Sequence, residues 1–367
     1  MFKTLRSQIN DPARVYGLDL MRAVAALLVV YLHGNPILER IAPKLTGMPL
    51  LDGVDLFFAL SGFLIGGILI KKLNAPDKST TSFLKTFLVR RWFRTLPGYY
   101  LFLLINIVFI YTGLVKEGFL NKYLVTFFVF MQNFRKPYDF LFWESWSLSV
   151  EEWFYLLFPI ALVMLAFVIK KNKKLLFLLC AMAFILFSTF VRLHRAPLSN
   201  FDFETWDIDL RKIVICRLDG IGFGLLAAWV HYYYYKAWKS VAVALFILGL
   251  AIFAIILQLG LDFNHYFSAT FYFTLSGLAC AFLLPMAEQT RSYRGNFGKI
   301  VTCLSLISYS MYLCHRGVVA ALITSNCNYE VHPGLFYCLY WGGVIFLSAV
   351  VYNYFERPMT NLRERFK

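Results

Sequence analysis

Long apolar segments separated by short polar loops recur along the whole 367-residue chain. Most of them approach the roughly 20 consecutive apolar residues that a helix needs to cross a bilayer. Their length and continuity predict transmembrane helices, each of which satisfies its own backbone hydrogen bonds. The predicted segments are 16–34, 54–70, 98–113, 119–131, 147–169, 175–192, 213–235, 241–260, 267–287, 301–325 and 334–355.

The charges of the loops decide how many of these segments cross the membrane. Lysine and arginine concentrate in 71–94, 170–174, 291–299 and 357–367, whereas 193–210 is acidic. Basic loops lie on the cytoplasmic side. All of them fall on one side if the short segment 119–131 does not cross, so that segment is predicted to be re-entrant or interfacial. The predicted fold is therefore an all-α integral membrane protein, a polytopic bundle of about ten transmembrane helices.

Composition agrees with this fold class and indicates which kinds of partner the chain binds. Hydrophobic residues make up 59% of the chain, above the roughly 45–50% of a soluble domain. The net charge of +15 comes from the basic loops, so we expect a lipid bilayer and no nucleic acid as partner. The seven cysteines form no CxxC motif and are interpreted as small hydrophobic residues. No metal site is predicted.

The same charge pattern predicts the domain organisation and location. Residues 1–15 are expected to form a cytoplasmic N-terminal segment, 16–358 the membrane domain and 359–367 a cytoplasmic tail. The N-terminus lacks a small-residue cleavage site, so the first apolar segment is predicted to be a retained span. The expected location is a bacterial-type inner or plasma membrane with both termini in the cytoplasm.

Arg22 and His33 lie eleven residues apart inside the first predicted span. Eleven residues are about three helical turns, which places both side chains on one face about 16 Å apart along the axis. Asp19 lies one turn before Arg22 on that face. Ionisable residues inside a membrane are costly and indicate function, so the stripe suggests a polar path. The alternative is that Asp19 pairs with Arg22 while His33 caps an exposed helix end.

The second predicted span opens with G-V-D-L-F-F-A-L-S-G-F-L. Asp55 and Ser61 are candidates for buried polar roles, and Gly62 would permit close approach of another helix. The following basic loop ends R-R-W-F-R-T-L-P, in which Arg90, Arg91 and Arg94 could bind phosphate groups bidentately. Taken alone, that motif favours a basic amphipathic helix lying on anionic lipid.

Glu151 and Glu152 enter an apolar helix in the motif F-W-E-S-W-S-L-S-V-E-E-W-F-Y. A carboxylate near a membrane-embedded imidazole could orient it, and we expect one of the two adjacent side chains to do so. The simpler interpretation is an acidic helix start that complements the helix dipole.

Three further motifs carry polar residues in later segments. Arg217 and Asp219 in R-L-D-G are not helical neighbours, so each is expected to pair with a different helix. Tyr309 and His315 lie in I-S-Y-S-M-Y-L-C-H-R, where structural and catalytic roles remain open. The chain then carries F-E-R-P near its end.

In this order, the seven motifs resemble those of the acyltransferase family 3 membrane domain, over about residues 16–358. The resemblance implies about ten transmembrane helices and transfer of an acyl group, usually acetyl from acetyl-CoA, to a hydroxyl on a glycan or other exported acceptor. The family's motif histidine corresponds to His33, its motif arginine to Arg22, and its basic loop to Arg91 and Arg94. Cys314 departs slightly from the family, which often has an aromatic residue there. No fused esterase-like domain is expected.

The residues and the resemblance suggest one mechanism. The Arg90–Arg94 cluster would hold the phosphates of acyl-CoA, and its pantetheine arm would reach past Arg22 towards His33. His33, neutral near pH 7, would act as general base on the acceptor hydroxyl or carry the acyl group transiently. Glu151 or Glu152 would orient it, and Ser61 or Tyr309 could stabilise the oxyanion.

Two other classes of function remain open at this stage. A transporter or flippase for a glycan or lipid-linked saccharide would also carry charges in its helices, although it would not need the arginine-rich loop. A lipid-binding scaffold would tolerate loss of His33. The sequence does not identify the acceptor.

Overall fold

The computed structural model describes residues 14–46, 52–75, 80–137, 140–196, 202–258, 266–292 and 295–366. Within these ranges the chain forms helices and no β-strand, which confirms the predicted all-α class. Most of the predicted N-terminal segment 1–15, and parts of the loops 34–52 and 193–210, lie outside the described residues. The long helices are α1 (Tyr16–His33), α2 (Gly53–Asn74), α3 (Thr80–Tyr111), α4 (Ser145–Val168), α5 (Lys173–Arg195), α6 (Leu218–Tyr233), α7 (Ala242–Gln258), α8 (Tyr266–Gln289), α9 (Asn296–Cys314) and α10 (Pro333–Val351).

Two of these helices continue beyond their α-helical parts. A π-helical segment, His315–Ala320, joins α9 to the short helix Ala321–Asn326. A second π-helical segment, Tyr352–Glu356, joins α10 to Arg357–Leu362 and to the terminal turn Arg363–Phe366. The other short helices are Asn35–Leu38, Lys122–Leu124, Val125–Phe128, Phe203–Trp206, Asp207–Arg211, Val214–Cys216 and Tyr235–Ser240.

Eight helices among the described residues are long and apolar enough to cross a membrane. Two further predicted crossings correspond to α6 and α7, which have only 16 and 17 residues. The membrane character is therefore confirmed, whereas the count of ten crossings stays a prediction. The predicted short segment 119–131 forms only the turns Lys122–Leu124 and Val125–Phe128, far below the length of a span.

Helices α2 and α6 form a close backbone contact at the centre of the bundle. A Cβ atom at Gly62 would lie 2.1 Å from the Ile221 carbonyl oxygen, and one at Gly224 would lie 2.2 Å from the Ala59 carbonyl oxygen. Only glycine fits at these two positions, because the obstacle is backbone that cannot move aside. The sequence-based expectation of close helix approach at Gly62 is confirmed.

Two buried ion pairs tie neighbouring helices together. Arg217 donates to Asp55 of α2, whose other carboxylate oxygen accepts from Ser276 of α8 at 2.6 Å. Arg192 of α5 donates to Asp219 of α6 at 2.6 Å. The expectation that Arg217 and Asp219 have separate partners is thus confirmed. Removal of one member would leave an uncompensated buried charge, so both pairs fix the arrangement of the bundle.

Helix α1 lies inside the bundle and packs against α2, α8 and α9. Helix α1 also contacts α10, because the Tyr340 hydroxyl donates a hydrogen bond to the Val30 carbonyl oxygen at 2.7 Å. Small residues Ala25 and Ala26 are almost completely buried and let the neighbouring helices approach. The polar stripe of α1 therefore faces other helices, which positions Arg22 and His33 for chemistry within the protein.

Candidate active site

A cavity of about 90 Å³ lies between α1, α2, α3, α4 and α9. Six predicted site residues line it, together with further aromatic residues of α2, α4 and α9. Charged groups and aromatic walls around one concave space are typical of small-molecule sites. The predicted residues are Arg22, Ser61, Arg91, Arg94 and Glu151, and Tyr309 lines it as well.

Arg91 and Arg94 reach the cavity from α3, one turn apart. Within the described residues neither guanidinium has a carboxylate within ion-pair distance, and Arg91 lies over the rings of Phe87 and Tyr155 at 5.8 and 5.9 Å. Arg90, by contrast, points away and pairs with Glu364 at 3.4 Å. Of the three predicted phosphate ligands, the structure therefore places two at the cavity and one elsewhere.

Arg22 faces the same cavity from α1. Its guanidinium lies 3.3 Å from Asp19 and 3.2 Å from Ser305. Asp19 makes shorter bonds to Arg14, at 2.5 and 2.8 Å. The predicted alternative of an Asp19–Arg22 pair is thus present, but Asp19 mainly neutralises Arg14, and Arg22 keeps donors directed towards the cavity.

The two adjacent glutamates of α4 diverge. Glu151 lines the cavity and accepts hydrogen bonds from Ser61 at 3.1 Å and from Tyr155 at 2.5 Å. Glu152 instead accepts from Thr95 of α3 at 2.6 Å. Neither carboxylate contacts His33, so the expectation that one of them orients this imidazole is wrong in this structure. The partners of both side chains lie on α2, α3 and α4, whereas His33 lies at the end of α1.

His33 is held by a second histidine. His315 Nε2 lies 3.1 Å from His33 Nδ1, and the two rings meet edge to face at 4.8 Å. His33 Nδ1 also lies 2.9 Å from the Val29 carbonyl oxygen, and His315 Nδ1 lies 2.7 Å from the Tyr312 carbonyl oxygen. His315 thus occupies the position that the sequence assigned to a glutamate.

These contacts assign the protons of the neutral pair. A carbonyl oxygen only accepts, so His315 Nδ1 carries a proton and His315 Nε2 presents its lone pair. His33 Nδ1 must then donate, shared between Val29 and His315. The remaining nitrogen, His33 Nε2, keeps a lone pair and makes no hydrogen bond within the part of the chain the structure describes. It is the basic atom of the pair.

Tyr312 separates the histidine pair from the cavity. Its ring lines the cavity and lies 5.7 Å from the ring of His315, and its hydroxyl contacts Ser147 at 2.6 Å. Phe57 packs edge to face against it at 6.1 Å. The described residues that line the cavity do not include His33, so the arginine-lined space and the base are adjacent but not continuous.

The two predicted oxyanion donors already use their hydroxyl protons. Ser61 donates to Glu151, and Tyr309 donates to the Thr95 carbonyl oxygen at 2.6 Å. Asp55, Arg217 and Asp219 lie in the structural ion pairs described above and not at the cavity. Arg22 is then the predicted residue that retains hydrogen-bond donors for a developing negative charge.

Sequence reasoning missed the role of Tyr312 and the pairing of the histidines. The repeat Y-S-M-Y-L-C-H places Tyr309 and Tyr312 on one helical face, which is the signal that both approach the same space. Nothing in a single sequence shows that α1 and α9 lie side by side. The His33–His315 contact follows from that packing alone.

Comparison with known proteins identifies the family. A family model described as an acyltransferase domain matches residues 15–353, almost the whole chain. The chain belongs to acyltransferase family 3. The residues matched include α1, α2, the basic helix α3, α4 and α9, and therefore every element that lines the cavity.

Curated proteins of Staphylococcus aureus are among the relatives of this chain. A protein of strain COL that is provisionally named an O-acetyltransferase is 32% identical over 176 residues, which cover 44% of this chain and 27% of that protein. O-acetyltransferase OatA of strain NCTC 8325 is 25% identical over 383 residues, which cover 98% of this chain and 59% of OatA. The chain thus spans less than two thirds of the length of these relatives. No solved structure matches it significantly.

Proposed function

We propose that this protein is a membrane O-acetyltransferase that moves an acetyl group from cytoplasmic acetyl-CoA to a hydroxyl group of a glycan or another envelope acceptor. The observation that carries the proposal is the cavity lined by Arg22, Arg91 and Arg94, which ends beside a histidine pair with one free basic nitrogen. The family and the names of the relatives support the reaction class.

The proposed position of acetyl-CoA follows from the charges that line the cavity and from the length of the pantetheine arm. Arg91 and Arg94 have no carboxylate partners among the described residues, so they are available to the phosphates of the coenzyme by charge-assisted hydrogen bonds. The pantetheine arm would extend along the cavity past Arg22, and the thioester would approach His33 once the Tyr312 ring moves. Arg22 would then stabilise the oxyanion, because its donors already face this space.

The chemical step uses His33 as a general base. His33 Nε2 removes the proton of the acceptor hydroxyl while the hydroxyl oxygen attacks the thioester carbonyl carbon. The tetrahedral intermediate collapses with cleavage of the C–S bond, and the imidazolium returns the proton to the leaving thiolate. The products are an acetyl ester and coenzyme A. A general base typically contributes about 10²–10⁴-fold to such a rate.

The membrane orientation is part of the same proposal. The basic end of the bundle, where Arg90–Arg94 of α3 and the C-terminal turn Arg363–Phe366 meet, would face the cytoplasm of a bacterial-type inner or plasma membrane. The end of α1 at His33 would then face outward. A topology reporter fused after Lys171 is expected to read cytoplasmic, and one fused within residues 202–209 external. The opposite pair of readings would reject this orientation.

The deciding experiment uses purified protein in lipid nanodiscs. Acetyl-CoA labelled in the acetyl group is supplied together with envelope glycan from cells lacking the gene. We expect release of coenzyme A and labelled ester in the glycan, detected by a thiol assay and mass spectrometry. His33→Ala at matched folded protein should abolish both. A transporter would leave acetyl-CoA intact in every sample.

A further inference from the structure

Arg316 follows His315 directly and is the second residue of the π-helical segment His315–Ala320. Its guanidinium lies over the indole ring of Trp143, with Cζ 4.9 Å from the ring centroid. A cation–π contact of this kind needs no N–H donor, so the N–H groups of Arg316 remain available for a ligand. Trp143 therefore fixes the orientation of this cation without consuming its hydrogen-bond donors.

The neighbouring cations have carboxylate partners within ion-pair distance, whereas Arg316 has none in the described part of the chain. Arg211 pairs with Asp52 and Asp207, each at 2.8 Å, and Lys212 pairs with Asp207 at 3.0 Å. Burial disfavours the charge of Arg211, but these carboxylates outweigh it and raise its pKa above the ordinary value. Among the described residues, no carboxylate lies within ion-pair distance of the Arg316 guanidinium, and none accepts a hydrogen bond from it.

Arg316 also lies beside the proposed base. It is the next residue after His315, which touches His33 at 3.1 Å. A small cavity of about 10 Å³ adjoins the guanidinium and is lined by Trp143 and Glu117 as well. Glu117 is exposed and stays outside ion-pair distance. Arg316 is close enough to His33 for the two side chains to interact electrostatically. A group bound by the N–H edge of Arg316 would therefore lie in the same region of the protein as His33.

The donor is proposed to bind elsewhere, so this arginine is available to a different ligand. Its phosphates are assigned to Arg91 and Arg94, whereas the Arg22–His33 stripe alone extends about 16 Å along α1. Arg316 lies at the His33 end of that stripe, on the side proposed to receive the acceptor. An unpaired guanidinium there fits an oxyanion group, because its fork matches a carboxylate or a phosphate bidentately.

We propose that Arg316, held by Trp143, binds a carboxylate or phosphate group of the acceptor and thereby selects an anionic saccharide for acetylation at His33. This inference rests on the proposed function. Binding of the anionic group would direct a hydroxyl of the same molecule to His33 Nε2. Arg316 would be a specificity-determining residue, and it takes no part in proton transfer.

The test uses three probes that differ only at carbon 6: glucose, glucuronic acid and glucose 6-phosphate. Acceptor-dependent release of coenzyme A is measured in nanodiscs with saturating acetyl-CoA. The wild-type protein should have a higher kcat/KM for at least one anionic probe than for glucose. Arg316→Gln should lower that value about 10-fold or more through KM, with the value for glucose unchanged. The two anionic probes distinguish a carboxylate from a phosphate ligand.

A binding measurement keeps the test independent of turnover. Thermal stabilisation of the protein by each probe is recorded for wild type, Arg316→Gln and the control Lys122→Gln, which removes an exposed cation lying over Tyr123. The inference is supported if an anionic probe stabilises the wild type and Lys122→Gln but no longer stabilises Arg316→Gln. Equal responses to all three probes, or an unchanged response in Arg316→Gln, overturn it. Acetyl-CoA that is neither bound nor consumed would instead reject the proposed function.

Discussion

His315 Nε2 accepts a hydrogen bond from His33 Nδ1 at 3.1 Å, and this contact leaves the other nitrogen of His33 as the free base. As in the carboxylate–histidine pairs of hydrolases, the basic histidine donates its Nδ1 proton to a partner; here the partner is a neutral imidazole in place of a carboxylate. A neutral partner fixes the tautomer and the ring orientation but stabilises the imidazolium less. His315 is therefore a positioning residue for His33.

Replacement of His315 should impair the reaction without removing the base. We expect His315→Ala to lower kcat about 10- to 100-fold while the KM for acetyl-CoA stays near the wild-type value, since the tautomer and orientation of His33 are then unrestrained. His33→Ala should reduce transfer to the background rate. His315→Gln, whose amide oxygen can accept from His33 Nδ1, should recover part of the loss. Near-normal turnover of His33→Ala at matched folded protein would refute the assignment of the base.

The arginines of α3 allow a matched comparison. Arg91→Ala and Arg94→Ala should each weaken acetyl-CoA binding about 10-fold or more, because a charge-assisted hydrogen bond contributes about 1.5–3 kcal/mol. Arg90→Ala should leave affinity unchanged, since Arg90 pairs with Glu364 away from the cavity. Isothermal titration at several salt concentrations measures this, and the affinity of the wild type should fall with salt. If all three variants bind equally well, the basic helix serves lipid and not the donor.

The glutamates of α4 should differ in effect although they are adjacent. Glu151→Gln removes a negative charge from the cavity and should alter acetyl-CoA turnover, whereas Glu152→Gln keeps a hydrogen-bond acceptor for Thr95 and should remain close to wild type. Turnover of both variants is compared after normalisation to folded protein. A larger loss for Glu152→Gln would show that the cavity is not the donor site.

The contact between α2 and α6 gives a prediction about stability. Gly62→Val and Gly224→Val should each prevent normal packing and lower the melting temperature or the yield of folded protein, because the added atoms would overlap backbone. Gly67→Ala in the same helix is the control, since a Cβ there meets nothing within 4 Å. It should be neutral or slightly stabilising, as alanine favours the helix over glycine. Thermal unfolding followed by fluorescence-detected size exclusion measures all three.

Periodicity and loop charge were sufficient to predict the helical membrane fold, because each span is specified by its own local composition. The family resemblance, and not local spacing, led to the expectation that Arg22, Arg91 and Arg94 serve one site, and the structure places all three at one cavity. The partner of His33 could not be predicted in this way. His33 and His315 are 282 residues apart, and their contact depends on how α1 and α9 pack.

The prediction that a glutamate orients His33 failed for a related reason. Glu151 has a carboxylate, which is a chemically suitable partner for an imidazole. Residue type alone does not specify whether that carboxylate lies next to His33 in the folded bundle. Glu151 lines the cavity together with Arg22, whereas His33 does not, and its carboxylate bonds to Ser61 and Tyr155. The divergence of Arg90 from Arg91 and Arg94 was likewise invisible in the motif, because it depends on where the C-terminal turn places Glu364.

The position of Tyr312 has a consequence for the cell as a whole. A membrane that stores energy as an ion gradient is discharged by any protein in which a hydrated, charged cavity opens to both sides. Here the arginine-lined space stops at the Tyr312 ring, whose hydroxyl is held by Ser147. An aromatic barrier of this kind would let the chain keep permanent charges inside the bilayer while the membrane remains sealed to protons.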